Sequence, residues 1–273
     1  MTEFPLDLRD GVRGFMFDVD GTLAHRGADG RAHPQPGALE VLDRIRASGR
    51  PLVLFTNASH VSSATVAAGL RSDGIPVSDA ELLTPVDSAT EYLLQRHRGR
   101  RVQLFASPAV HEHMAAAGVE LTRGDDAQVV FVAHQHQVDL DEVERAARAI
   151  ERGAPLLTSS FVRGYAGANG MILSRGAMIT AAVAKASGVR PRVVGKPSRA
   201  AVAALRARLG IPTQDIVVIG DDARMDIALG KLGGSRTILV RSGISADVPL
   251  RDLPAGQRPD VAIGAISELL PYV

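Results

Sequence analysis

Phe15-Met16-Phe17 runs without a polar break into Asp18-Val19-Asp20-Gly21-Thr22. A short apolar run that does not alternate has the pattern of a strand covered on both faces, as in a parallel sheet, and the glycine turn behind it ends that strand. Residues two apart on a strand share a face. Asp18 and Asp20 are therefore expected to project together past the strand end, while Val19 turns back into the core. Two neighbouring carboxylates repel each other and lose hydration, so both stay ionised only beside a cation. Hard oxygen donors suit Mg²⁺ better than Zn²⁺. The competing reading, a helix cap followed by a surface turn, fits poorly behind three apolar residues.

The same pattern recurs along the chain. A helix is expected over Pro34 to Ser48, with Leu39, Leu42 and Ile45 as its apolar stripe and Gly49 as its stop. Pro51 to Phe55 reads as a second buried strand that ends in Thr56-Asn57. Strand, helix and strand with short connections make a βαβ unit and a parallel sheet. Ligands of such sheets bind beyond the carboxyl ends of the strands, which places Asp18, Asp20, Thr56 and Asn57 on one rim. A helix follows over Ser62 to Ser72, and Thr84-Pro85 opens another.

Residues 84–189 carry an α/β pattern of their own. Strands are expected at Arg101 to Ala106, Val129 to Ala133 and Pro155 to Thr158. Between them lie a helix from Ser107-Pro108 to Gly118 and one over Asp139 to Arg152. The second has Asp139 and Glu142 as a capping box and a Leu140, Val143, Ala147, Ile150 stripe. A glycine-rich loop from Gly164 to Gly170 leads to a helix closing at Gly188. Val193-Val194, Asp215 to Ile219, Thr237 to Val240 and Val261 to Ile263 then resume the first pattern, with Ser198 capping a helix between the first two. The expected organisation is α/β: a Rossmann-like parallel-sheet core from residues 1–83 and 190–273, with an inserted α/β unit, 84–189, above its rim.

Bulk composition narrows the function. Lys and Arg number 31 against 30 Asp and Glu, so charge gives no reason to expect nucleic acid or an anionic membrane as partner. The chain has no cysteine, which excludes disulfides, thiolate metal sites and a cysteine nucleophile and fits a reducing compartment. The start, Met1 to Asp7, lacks the basic and apolar regions of a signal peptide, and no apolar run approaches the ~18 residues of a membrane span. The expectation is a soluble cytoplasmic enzyme.

Two further stretches carry chemistry. Lys196 stands in Gly195-Lys196-Pro197-Ser198 behind a strand. A P-loop reading fails, because Arg190 occupies the first Walker glycine position and Pro197 precedes the serine. At the rim a fixed cation offsets the charge of Asp18 and of a bound phosphate. In Gly220-Asp221-Asp222-Ala223-Arg224-Met225-Asp226, Asp221 lies at a strand end and faces the same rim. Asp226 sits where it can reach a metal or fix Lys196. Asp222 has a helix-cap reading beside the metal one. Thr56 and Asn57 offer a hydroxyl and backbone N–H groups to phosphate, a role compatible with an ordinary N-cap.

Together and in this order, Asp18-x-Asp20-Gly-Thr, Thr56-Asn57, Lys196 and Gly220-Asp221-Asp222 with Asp226 resemble the motifs of the haloacid dehalogenase (HAD) superfamily. The long insertion before Lys196 resembles the C2a cap of its class IIA, the NagD-type or p-nitrophenylphosphatase-like group. The resemblance implies a Mg²⁺-dependent phosphatase acting on a small-molecule phosphate ester. It implies that Asp18 attacks phosphorus to form an aspartyl-phosphate. Asp20 then protonates the leaving oxygen and activates water, and its backbone carbonyl helps hold Mg²⁺. Thr56 and Asn57 bind phosphoryl oxygens, Lys196 neutralises charge, and Asp221 ligates the metal with Asp222 or Asp226 in support. A phosphotransferase or mutase on the same chemistry, or an idle phosphate-binding module, are the alternatives. A second copy of the chain, joined through the cap, is the one protein partner entertained.

The insertion departs from the class pattern. Thr158-Ser159-Ser160-Phe161 replaces a Thr-Asn-x-Asp segment, Ser174-Arg175-Gly176 replaces Pro-Gly, and His134-Gln135-His136 stands where an aspartate is usual. A His-x-His metal site competes there with a solvated loop, and the loop reading is favoured. In the segment Ser159 to Tyr165, Phe161 and Tyr165 can pack a leaving group and Arg163 can pair with a second anionic group. A solvent-facing hinge is the competing reading.

Overall fold

The structure, a computed structural model, describes residues 6, 8, 11–167 and 170–273, without the side chains of 165–171. The N-terminal part runs β1 (Gly14–Phe17), β2 (Ala24–Arg26), β3 (Ala32–Pro34), α1 (Ala38–Ala47), β4 (Leu52–Phe55), α2 (Ser63–Ser72), β5 (Leu82–Leu83) and α3 (Pro85–Arg96). The middle runs β6 (Val102–Phe105), α4 (Pro108–Ala116), β7 (Leu121–Thr122), β8 (Val129–Val132), α5 (Leu140–Glu151), β9 (Leu156–Thr158), β10 (Gly164–Gly167), β11 (Gly170–Leu173), α6 (Arg175–Ser187) and β12 (Arg192–Val193). The chain ends with α7 (Arg199–Leu209), β13 (Ile216–Gly220), α8 (Ala228–Gly233), β14 (Arg236–Val240) and β15 (Val261–Ile263).

Six strands form one parallel sheet in the order β15-β14-β13-β1-β4-β5. β1 is central, and its side chains divide by parity, as strand geometry requires. Phe15 and Phe17 join the core on one face with Val19, and Met16 joins the core on the other with Val53, Phe55 and Val218. A second parallel sheet has the order β12-β9-β8-β6-β7. The α/β class with parallel sheets is thus the observed fold. Among the described residues no helix is long and apolar enough to cross a membrane.

Several local expectations need correction. The first helix begins at Ala38, not Pro34, because Gly37 precedes it at φ 80° and Ala32–Pro34 pairs with Ala24–Arg26 in an antiparallel hairpin. The glycine-rich stretch is no open loop, since Gly164–Gly167 and Gly170–Leu173 pair as a second hairpin. In α5 the buried face is Val143, Ala146, Ala147, Ala149 and Ile150. Leu140, in the uncovered first turn, is 81% exposed. Its cap is one-sided: Asp139 accepts from the Asp141 amide, while the Glu142 carboxylate accepts from Gln135 instead.

The most consequential difference is β12. It pairs with β9 in the second sheet, and Val194 packs with Phe131 and Leu157 there. The chain rejoins the first sheet only at β13. Lys196 therefore lies on a connection that passes from one sheet to the other. That crossing is tight. A Cβ on Gly195 would lie 2.1 Å from the Ser159 carbonyl oxygen, so only glycine lets the two segments pass.

Candidate active site

Three neighbouring strands deliver the site to one rim. β1 ends before Asp18, β13 before Asp221 and β4 before Thr56. Lys196 reaches between them and is fully buried. Its ammonium donates to Asp18 Oδ1 at 2.7 Å, Asp226 Oδ1 at 2.7 Å and the Phe55 carbonyl at 2.6 Å. All three ammonium donors are thus used. Burial alone would strip the proton, but the Asp18 and Asp226 carboxylates hold the lysine above its ordinary range.

Asp226 sits in a π-helical turn, Ala223–Ile227, directly after the strand end. This wide turn brings its carboxylate back over Gly220, where a Cβ would meet it at 2.4 Å. Asp221 is held differently. Its Oδ2 accepts from the Ile244 amide at 2.7 Å, and its carbonyl accepts from the Ser245 amide at 3.1 Å. Gly21 at φ 93° and Gly243 clear the space around its carboxylate. Ser242 Oγ donates to the Gly21 carbonyl at 2.7 Å, so the two turns close on each other.

Oxygens of Asp18, Asp221 and Asp226, all three residues buried, lie within 4.8 Å of one another. Burial raises Asp18 well above the usual carboxylate range; Lys196 opposes this, and Asp226 and Asp221 add to it. Burial and the Asp226 charge push Asp221 up to about 7, and the same two causes raise Asp222. One ammonium cannot balance so many crowded carboxylates. A buried, all-oxygen donor set short of positive charge fits a hard divalent cation such as Mg²⁺.

The carboxylates of Asp20 and Asp222 are outside this cluster. Asp20 Oδ1 accepts from Arg26 Nε at 2.9 Å. Asp222 Oδ1 accepts from the Arg224 amide at 2.8 Å, as the cap of the π turn. Thr56 is buried and Asn57 partly so. Thr56 Oγ1 accepts from the Ala58 amide at 3.3 Å. The helix-cap reading of this pair falls away, since α2 starts at Ser63 with Ser62 as its cap. Arg163 is exposed ahead of β10, and its carbonyl accepts from the Ser174 amide. The Tyr165 side chain lies outside the described residues. His134 and His136 enter no metal-holding group among the described residues.

Sequence reasoning missed Arg26 and the segment Ser242 to Ser245. The second follows β14, whose carboxyl end opens on the same rim. The strand-end rule that led to Thr56 would have led there too.

Residues 15–120 match the haloacid dehalogenase-like hydrolases, and 193–269 match a HAD-hydrolase-like family. The ribonucleotide monophosphatase NagD of Escherichia coli K12 is 28% identical over 261 residues, 94% of this chain and 98% of that protein. The phospholysine phosphohistidine inorganic pyrophosphate phosphatase of Xenopus laevis is 30% identical over 236 residues, 86% of this chain and 85% of that protein. The solved NagD structure superposes with a TM-score of 0.83 at 26% identity, covering 94% of this chain and 98% of that one. A 4-nitrophenylphosphatase from Thermotoga maritima shares the fold, with a TM-score of 0.86 at 24% identity over 97% and 98% of the two chains. The family match and the relatives define a hydrolase of phosphoric monoesters. The chain belongs to the haloacid dehalogenase-like hydrolases, in the class IIA group typified by NagD and the p-nitrophenylphosphatases.

Proposed function

We propose that this protein is a Mg²⁺-dependent phosphatase of small soluble phosphate esters, working through an aspartyl-phosphate on Asp18. The observation that supports this most is the Asp18 carboxylate at the end of β1, its Oδ1 held by Lys196, beside Asp221 and Asp226. Lys196 fixes one oxygen and leaves the other to attack phosphorus, which forms the Asp–O–P bond as the ester P–O bond breaks. The leaving oxygen takes a proton from Asp20. In the second step Asp20 takes a proton from the water that attacks phosphorus, the Asp–O–P bond breaks, and phosphate leaves with the Asp18 carboxylate restored. Arg26 orients the Asp20 carboxylate for both transfers. Thr56 and Asn57 hold phosphoryl oxygens at the end of β4. Asp18, Asp221 and the Asp20 carbonyl would hold Mg²⁺, with Asp226 or Asp222 in support, and the ion would supply positive charge for the phosphoryl oxygens. Residues 84–189, with β12 completing their sheet, act as the cap, which meets the core where the Ser159 carbonyl lies against Gly195.

The test is phosphate release from p-nitrophenyl phosphate and a panel of aliphatic phosphate esters, with Mg²⁺ and with a chelator. Activity is expected with Mg²⁺ and not with the chelator. Asp18→Asn keeps the shape of the site and removes the nucleophile. Turnover by Asp18→Asn above ~1% of wild type would reject the covalent route, since a lost nucleophile removes the step itself. Added alcohols that divert the product into a new ester would favour a phosphotransferase instead.

A further inference from the structure

Outside the carboxylate cluster, titratable side chains gather where the loop after β4 meets the loop after β8. The ring centroids of His60 and His134 are 5.7 Å apart, and those of His134 and His136 are 4.9 Å apart at 78°. Two arginines flank the imidazoles. Arg175, at the start of α6, donates to the His136 carbonyl at 3.1 Å and its charge acts on His134. Arg26, on β2, acts on His60. Ser107 Oγ, which follows β6 and caps α4, donates to the His60 carbonyl at 2.6 Å and ties the loop after β4 to the second sheet's rim.

Two properties of this cluster point to an anion. The permanent charges that bear on these rings are both arginines, Arg26 on His60 and Arg175 on His134. Partial burial and these neighbours hold both rings below the usual histidine range. Among the described residues no carboxylate hydrogen-bonds to His60, His134 or His136, and the three take part in no metal-holding group. Arg26 is paired with Asp20, but Arg175 forms no ion pair among the described residues and bonds only a carbonyl here; an arginine without a counter-charge beside three imidazoles is completed by an anionic ligand. The cluster also adjoins the chemistry. Arg26 bonds the Asp20 carboxylate, the group assigned above to the leaving oxygen, and His60 follows Thr56 by one short loop. Arg26 thus connects the cluster to the group assigned to the leaving oxygen.

We propose that His60, His134, His136, Arg26 and Arg175 form a subsite for a second anionic group, a carboxylate or a phosphate, carried by the leaving group of the ester; this rests on the phosphatase reading above. The subsite is assembled from both sheets' loops, so it forms only with the two in contact. It also assigns a use to the histidine pair at 134 and 136 that metal binding does not.

Matched ester pairs test it. Glycerate 3-phosphate and glycerol 3-phosphate differ by a carboxylate, and fructose 1,6-bisphosphate and fructose 6-phosphate by a phosphate. p-Nitrophenyl phosphate serves as the reference ester. At least one member with the second anion should show a kcat/KM about ten- to a hundredfold above its partner, the worth of one or two charge-assisted contacts. Which pair responds identifies the group. His134→Asn and Arg175→Gln should each reduce that ratio about tenfold, chiefly through KM, and Arg175→Lys should recover part of it. If wild type hydrolyses the reference ester and neither pair differs by more than threefold, the subsite is wrong. An unchanged ratio in both variants overturns it as well. If no ester releases phosphate, the phosphatase reading falls first and this one with it. Should a variant fail to fold, the wild-type ratios alone decide.

Discussion

Lys196→Met isolates what the buried ammonium does for the fold. Methionine keeps the unbranched stem and removes the charge and three donors. The ammonium holds Asp18 and Asp226 at 2.7 Å each and the Phe55 carbonyl at 2.6 Å. Removing one partner of a buried ion pair costs about 3–5 kcal/mol. Here one cation serves two carboxylates, so the upper part of that range applies wherever both stay ionised. The remaining relief is protonation, which makes the cost depend on pH. Lys196 is the main influence that lowers Asp18, so its loss raises an already raised carboxyl further.

A carboxyl whose folded pKa exceeds its unfolded value, about 3.9, takes up a proton on folding. Its contribution to stability is complete below the unfolded value and is lost as pH rises through the folded one. Chelator-treated wild type should therefore lose stability as pH rises from about 4 through about 7, the region set by Asp221. Lys196→Met should lose about 3–5 kcal/mol more at pH 8 and much less at pH 5. Urea unfolding of both proteins at pH 5, 6.5 and 8, with chelator throughout, measures this. An equal loss at every pH, or no loss at pH 8, would refute the view that Lys196 offsets ionised carboxylates.

Three other outcomes are expected. Mg²⁺ at a hundred times its dissociation constant should stabilise wild type by about 2.7 kcal/mol; thermal unfolding should show that gain largely lost in Asp221→Asn and retained in Asp222→Asn, whose carboxylate caps a turn. Gly243→Ala places a Cβ 1.9 Å from Asp221 Oδ2, so it should cost about 1–3 kcal/mol and weaken Mg²⁺ activation. Gly256→Ala, with open space around it, should do neither. Asp20→Asn should lower kcat by about 10²–10⁴-fold, with the larger loss on alkyl phosphates because nitrophenolate leaves without a proton; equal losses on both would count against Asp20 as the acid.

How much of this was legible follows from what each feature depends on. The strand ends were readable because an uninterrupted apolar run followed by a polar turn is a local pattern. Phe17-Asp18, Phe55-Thr56 and Gly220-Asp221 each carry it. The two hairpins were not. Ala24–Arg26 and Ala32–Pro34 are three residues each and largely exposed, so they have no apolar signature, and pairing alone defines them. The division of labour among the acids was equally hidden. Asp20 and Asp222 differ from Asp18 and Asp221 only in what lies nearby: Arg26 for one, the Arg224 amide for the other. The Arg26 partner is not fixed by spacing, whereas the Arg224 amide, two residues on, is the local cap that the sequence already offered for Asp222. The Ser242 to Ser245 segment looked ordinary because its function is carried by backbone amides and by the missing side chain of Gly243.

Lys196 joins these strands of argument. In sequence it reads as a core motif, and in space its ammonium is at the centre of the first sheet's rim. Its backbone, however, leaves the second sheet through Val194, whose amide bonds the Thr158 carbonyl, and passes the Ser159 carbonyl at Gly195. The cation that fixes Asp18 is therefore positioned by the packing of β9 and β12 as much as by the strands bearing the acids. β8, the neighbour of β9, ends at the loop of His134 and His136. One sheet thus places both the lysine that holds Asp18 and the imidazoles of the proposed anion subsite. On the proposed roles, a shift of that sheet against the core would move both together, which would link recognition of the leaving group to the position of the Asp18 partner through β8, β9 and β12.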